Sequence, residues 1–203
     1  MRLAASVIVI GLAAGCLAER LIYIPTAHKI PFGSVRYELR AEPRVSGVSE
    51  NYIGIGATTS WELEYRRQDL DSDRQIDAFD LTYNFISPIT DFTPGFALGI
   101  QDVFDRTADG RRPFFVVTFR EGFSTIGGES PADITLGFSS SHRQVYPLVG
   151  ASIPFSKQVR FMAEHDGLRI SIGMEARPVR NLSLRWTLRE GTSLLGFEFQ
   201  GKF

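Results

Sequence analysis

From Gly33 to the C-terminus, apolar and polar residues alternate with a period of two. Val35, Tyr37, Leu39 and Ala41 are interleaved with Arg36, Glu38, Arg40 and Glu42. Trp61, Leu63 and Tyr65 alternate with Glu62, Glu64 and Arg66, and Phe79, Leu81, Tyr83 and Phe85 with Asp80, Thr82 and Asn84. The same rhythm runs through Ile53–Ala57, Phe96–Ile100, Phe115–Phe119, Ile134–Phe138, Val149–Ile153, Val159–Ala163, Ile170–Ala176 and Leu182–Leu188. A period of two puts successive side chains on opposite faces of a strand. The spacing predicts about twelve strands of roughly nine to eleven residues, the length a tilted strand needs to cross a bilayer. An even number lets the first and last strands pair antiparallel, which removes both sheet edges. No segment keeps a helical period.

The last strand is the most telling. Leu195, Phe197, Phe199 and Phe203 share one face, and Glu198, Gln200 and Lys202 the other. A terminal aromatic gives a soluble fold little, whereas a membrane barrel puts such residues into lipid and their polar neighbours into the lumen. Phe199 and Phe203 also resemble the C-terminal signal by which bacterial outer-membrane barrels are recognised for insertion. The expected fold is all-β: a single antiparallel up-and-down transmembrane barrel over 34–203, located in the bacterial outer membrane. Its expected partners are outer-membrane lipids and the insertion machinery. A soluble periplasmic β-sandwich that binds a ligand is the alternative, since alternation alone does not distinguish the two. The distribution of charge favours the barrel: one face of the strands carries almost none.

The other face carries it in both signs. The register places Arg36, Arg40, Arg66, Arg120, Arg160, Arg169, Arg177, Arg185, Arg189 and Lys202 inside, with Glu38, Glu42, Glu62, Glu64, Asp80, Glu164, Glu175 and Glu198. Near balance predicts a cross-strand lattice of ion pairs that fills and braces the lumen. A passage for a polar solute or glycan is the alternative; a porin selective for one sign of ion would show an excess of one charge. Gly54, Gly56, Gly99, Gly137, Gly150, Ser152 and Gly173 are expected to make room for the long arginine side chains. With the first strand entering from the periplasm, the outer connections fall at Pro43–Glu50, Asp69–Ile76, Asp105–Arg112, Ser140–Tyr146, Asp166-Gly167 and Gly191-Thr192. The inner turns include Thr59-Ser60 and Ser156-Lys157, with Gly122–Ser130 as a longer exception. Irregularity is expected near Asp102.

The 203 residues suit one small barrel, and a net charge of −1 gives no reason to expect nucleic acid as a partner. Mean hydropathy near zero is what alternating strands average to. Arg2 followed by the short apolar run Leu3–Ala14 reads as an export signal, 1–18. Ala13-Ala14-Gly15-Cys16 offers a competing lipobox, imperfect because its first position is usually Leu, in which Cys16 is lipidated and the signal is 1–15. Residues 19–33 follow, apolar and punctuated by Pro25 and Pro31. They fit either a linker packed on the periplasmic rim or a plug inside the barrel.

Catalytic signals are weak. Ser139-Ser140-Ser141-His142 could supply the nucleophile and base of a lipid-modifying enzyme, but no third group is evident and a polar loop is the simpler reading. Glu164-His165-Asp166 reads as turn chemistry. Asp69, Asp71, Asp73 and Asp77 lack the glycine and distal glutamate of a calcium loop. No metal-spaced His/Cys cluster or phosphate loop is present, so no cofactor, metal or catalytic residue is expected.

Tyr23-Ile24-Pro25-Thr26-Ala27, then Pro31-Phe32-Gly33 leading into the first strand, resembles the opening of YjbH-like outer-membrane proteins. Ala163-Glu164-His165-Asp166-Gly167, Ile170–Gly173 and Pro178–Leu184 extend the resemblance, where members often carry Tyr at the position of His165. Members are associated with exopolysaccharide or capsule export, and some are lipoproteins. The resemblance therefore implies a non-enzymatic barrel that supports envelope polysaccharide, with polysaccharide or export proteins as partners. A small polar-solute channel and a lipid-modifying enzyme are the other function classes.

Overall fold

The computed structural model describes residues 20–44, 48–71 and 74–203. Its strands are β1 Ser34–Ala41, β2 Ser49–Gly56, β3 Trp61–Asp71, β4 Arg74–Ile86, β5 Gly95–Gln101 and β6 Arg112–Thr125. β7 Gly128–Ser141, β8 Gln144–Pro154, β9 Val159–His165, β10 Ile170–Val179, β11 Leu182–Arg189 and β12 Thr192–Lys202 complete the set. Each strand pairs antiparallel with its neighbours in sequence, and β1 pairs with β12 to close a twelve-stranded barrel. Closure runs from Ser34↔Lys202 to Ala41↔Leu195. Phe203 adds a last bond by donating its N–H to the Gly33 carbonyl at 2.9 Å. Along Ser34–Ala41 and Leu195–Lys202 the first and last strands leave no open edge, which a bilayer interior demands.

The period of two becomes an inside and an outside. Leu63, Phe79, Leu136, Phe138, Ile153, Phe161, Ile172, Leu184 and Leu195 point outward and are exposed. Arg36, Glu38, Arg40, Glu64, Asp80, Arg160, Glu164, Glu175, Arg185 and Glu198 point inward and are buried. This inversion of the usual arrangement defines a transmembrane barrel. Aromatic neighbours pack along the outer face, as in Trp61–Tyr83 with ring centroids at 4.8 Å and Tyr65–Phe79 at 5.1 Å. Leu136→Arg is expected to cost about 2–4 kcal/mol of folding free energy in liposomes, because the charge enters hydrocarbon. Denaturant titration checks this; an unchanged midpoint would mean that the outer face meets water.

Both ends of the barrel wall, Ser34 and Phe203, lie at one mouth, called here the terminal mouth. Several connections differ from the sequence-based expectation. Asp69–Ile76 and Ser140–Tyr146 are largely strand, because β3, β4, β7 and β8 continue past the apolar band. The turn between β7 and β8 is only His142-Arg143, both at positive φ (49° and 68°), a primed two-residue hairpin. The turn expected at Gly191-Thr192 sits one residue earlier, at Glu190-Gly191, again with both φ positive. That expected at Asp166-Gly167 has its tip at Gly167-Leu168, since Asp166 N–H donates to the Arg169 carbonyl at 3.1 Å. The Asp166 carboxylate accepts the amides of Leu168 and Arg169 at 2.9 and 2.8 Å and His165 Nδ1 that of Gly167 at 3.0 Å, so the turn chemistry expected of Glu164-His165-Asp166 falls to His165 and Asp166. Gly122–Ser130 is not a loop: β6 and β7 pair through Thr125↔Gly128 and project beyond β5 and β8 at the terminal mouth. Outside the bilayer nothing requires alternation, so these extensions read as polar loops. The irregularity near Asp102 is a positive φ of 53° just after β5, while the register shifts fall at Asp69/Asp71, Asn84/Ile86 and Ala176/Val179.

Candidate functional site

The lumen contains a piece of the chain itself. Residues 20–32 turn back from β1 into the barrel, and Leu21, Ile22, Tyr23, Ile24, Ala27 and Ile30 are buried there. The plug is therefore the arrangement present, rather than a linker on the rim. Pro25 and Pro31 keep the segment out of any ladder, so its amides need other acceptors. They find the inward side chains of the wall. Glu164 on β9 accepts the N–H groups of Ile22, Tyr23 and Ile24 at 2.9, 2.8 and 3.1 Å. Thr118 on β6 accepts the Ala27 N–H at 2.9 Å, and Glu62 on β3 accepts that of Ile30 at 2.7 Å. The carbonyls are held too: Arg40 donates to Ile22 O at 2.9 Å and Gln101 to Tyr23 O at 3.3 Å.

The apolar side chains of the segment meet apolar side chains that interrupt the polar face. Leu21, Ile22, Tyr23, Ile24 and Ala27 cluster with Ala97, Phe114, Val116, Leu148 and Met162. Tyr52, also inward, carries the Arg20 and Arg40 guanidinium groups over its ring at 4.7 and 5.1 Å. The glycines serve the segment more than the arginines. A Cβ on Gly54 would lie 2.6 Å from Ile30 Cδ1, and one on Gly150 would lie 2.7 Å from Ile24 Cδ1. Gly150→Val is expected to cost about 1–3 kcal/mol through overpacking, read as a lower unfolding temperature on heat-modifiability gels. A wild-type melting point would show that the segment is not seated at Gly150.

Around the plug runs the charge lattice, and the sequence-predicted residues divide within it. Arg185 bonds Glu175 at 2.7 Å, Glu38 at 3.1 Å and Glu198 at 3.2 Å, all fully buried. Glu38 also accepts Arg40 at 2.7 Å, and Arg177 reaches Glu175. A second group joins Arg36 and Arg20 to Glu64, with Asp80 3.5 Å from Arg20 and 3.9 Å from Arg66. A third centres on Asp133, which takes Arg120 in two bonds of 2.7 and 3.0 Å and lies 3.6 Å from Arg160 and 3.1 Å from His28 Nε2. Glu62 and Glu164 serve the segment's amides. Arg169 is not in the lumen: half-exposed in the β9–β10 hairpin, it pairs Asp109 and Glu190 at 3.2 Å each. Lys202 is exposed at the terminal mouth, and Glu42 lies just beyond β1. Arg20, Glu50, Arg112 and Asp133 are lumen groups that alternation did not single out.

The candidate Ser/His pair does meet, with Ser141 Oγ 2.8 Å from His142 Nδ1. Ser141 Oγ also donates to the Asp109 carbonyl, and Ser139 Oγ accepts from Arg112 at 2.8 Å. The hydroxyls act in tying the mouth together. Asp69 accepts Ser49 at 2.9 Å and Gln75 at 3.1 Å, and no carboxylate or histidine group of metal-binding size occurs among the described residues. Phe199 is on the outer face and Phe203 is 80% exposed at the terminal mouth, where an insertion signal would be read. Cys16 and the export signal lie outside the described residues.

The site is thus a barrel lumen filled by its own N-terminal segment and an ion-pair lattice. No known family model matches the sequence, and no curated protein matches it. Among solved structures, the NanC porin is similar with 9% sequence identity over 84% of this chain and 98% of the porin, at a TM-score of 0.43. The barrel itself stands on this chain's own strand pairing.

Proposed function

We propose that this chain is a non-enzymatic outer-membrane barrel that supports polysaccharide export or envelope organisation and is shut to passive flow by its N-terminal segment. The carrying observation is the pairing of an apolar exterior with a lumen occupied by residues 20–32. The terminal mouth then faces the periplasm, and the opposite mouth faces the cell exterior. The polysaccharide role is supported by the resemblance at Tyr23–Ala27 and Pro31–Gly33 and by the hydrogen-bonding character of the outer mouth.

Membrane fractionation with cold detergent gels comes first. An outer-membrane band whose unheated form migrates differently is the expected result; a soluble, unshifted protein would sink the reading. Loss of secreted polysaccharide on deletion of the gene is the expected phenotype, and unchanged secretion would remove that role. A gated channel for a polar solute is the second reading, favoured by the polar character of the bonds that hold the segment. Wild-type protein is expected to show no steady conductance in planar bilayers, and a chain lacking residues 21–31 to conduct. Equal conductance in both would mean that the segment does not close the lumen.

A further inference from the structure

At the far mouth the lumen opens into a recess of about 70 Å³ whose floor is Tyr23 and Ile24 of the inserted segment. Four arginines line it: Arg66, Arg112, Arg169 and Arg189. Two of them carry ion pairs. Arg189 pairs Asp166 and stacks on Tyr23 at 3.9 Å, and Arg169 pairs Asp109 and Glu190. Arg112 is different. It is 6% exposed and donates through one nitrogen to Ser139 Oγ at 2.8 Å and the Asp166 carbonyl at 2.6 Å. Asp166 and Asp109 act on it electrostatically, but neither is ion-paired to it, and its Nε has no hydrogen-bond partner. Arg66 has its ion partner in Asp80, at 3.9 Å, feels Glu50 and Asp102 at longer range, and its Nε is also unpaired. A buried guanidinium with a donor left over is costly.

The same recess holds an unused acceptor. Asp102 is 1% exposed; its carboxylate accepts the Thr107 amide at 2.5 Å and is also held by the Arg106 amide and the Thr107 hydroxyl, while Oδ1 keeps no hydrogen-bond partner. A fully deprotonated anion such as sulfate would neutralise Arg112 but find nothing to give Asp102. A neutral polyol would do the reverse. A sugar bearing a carboxylate or phosphate does both, with the anionic group on Arg112 and a hydroxyl donating to Asp102. We propose that this recess binds the acidic end of a saccharide, held between Arg112 and Asp102. The assignment of the recess to the cell exterior rests on the outer-membrane reading; the chemistry of binding does not.

Calorimetry on the purified protein in non-ionic micelles tests it, with glucuronate, glucose 6-phosphate, glucose and sulfate as probes. Millimolar or tighter binding of at least one acidic sugar is expected, with glucose and sulfate at least tenfold weaker. Arg112→Gln is expected to weaken the acidic sugar tenfold or more. Asp102→Asn places a donor where the acceptor stood, and is expected to weaken the acidic sugar while strengthening sulfate. That inversion stands as a test even where Arg112→Gln fails to fold. Absence of acidic-sugar binding, sulfate binding as tight as the sugar's, or binding indifferent to both substitutions would each overturn the proposal. Because binding is read on purified protein, its failure is distinct from failure of the outer-membrane or secretion tests.

Discussion

Glu164→Ala is expected to release the inserted segment while leaving the barrel closed. One carboxylate accepts three consecutive amides, those of Ile22, Tyr23 and Ile24, and no ladder is available to take them over. Charge-assisted bonds of this kind are the strong ones, and losing the acceptor leaves buried N–H groups unpaired. The docked state should weaken by roughly 3–5 kcal/mol, a cost of the order seen when a buried charge loses its partner. The wall keeps all its ladder bonds, so the protein should still migrate as a folded band on an unheated gel. Two readouts should move: protease cleavage within residues 20–32, and conductance in planar bilayers. Glu164→Gln keeps one good acceptor and should fall between. Protection and conductance equal to wild type in Glu164→Ala would show that the apolar cluster alone seats the segment.

Arg185→Ala is expected to be more damaging to the barrel itself. The guanidinium is the shared partner of Glu38, Glu175 and Glu198, and all four side chains are fully buried. Removing it takes away the ion partner of Glu198 and leaves Glu38 and Glu175 with Arg40 and Arg177 alone, a loss of about 3–5 kcal/mol. That is a large part of the stability of an ordinary domain. The yield of heat-modifiable barrel after refolding should collapse. Adding Glu198→Gln to Arg185→Ala removes one of the stranded charges and should restore part of that yield, which a mere cavity effect would not. If the double variant refolds no better than the single, the three carboxylates are not coupled through Arg185.

The barrel was legible because hydrocarbon imposes a period of two that turns and loops do not. Leu195 to Phe203 announced the closing strand, and β1 met it in register. What lay beyond hydrocarbon was harder to read: β6 and β7 run to Thr125 and from Gly128 through residues polar or exposed on both faces, so they looked like a loop. The inserted segment was ambiguous for a different reason. An apolar stretch with two prolines fits a rim as well as a lumen. The deciding signal was in the wall rather than in the segment. Tyr52, Phe114, Val116, Leu148 and Met162 are apolar residues on the polar face, and an apolar residue pointing into a polar lumen implies something apolar inside. Asp133 was missed because it precedes the clear alternation of Ile134, Leu136 and Phe138.

The seat of the inserted segment is drawn from both sides of the junction between β1 and β12. Arg40 on β1 holds the Ile22 carbonyl, and Glu164 on β9 holds the neighbouring amides. Until β12 arrives and zips against β1, Arg40 sits on the edge strand of an unfinished curved sheet and Glu164 toward its other end. Residues made near the start of translation must therefore wait for the final strand before they can settle, a long-range dependence of the kind that slows folding. During assembly the order of synthesis is reversed: the C-terminal strand completes the enclosure, and the N-terminal segment seals it from within.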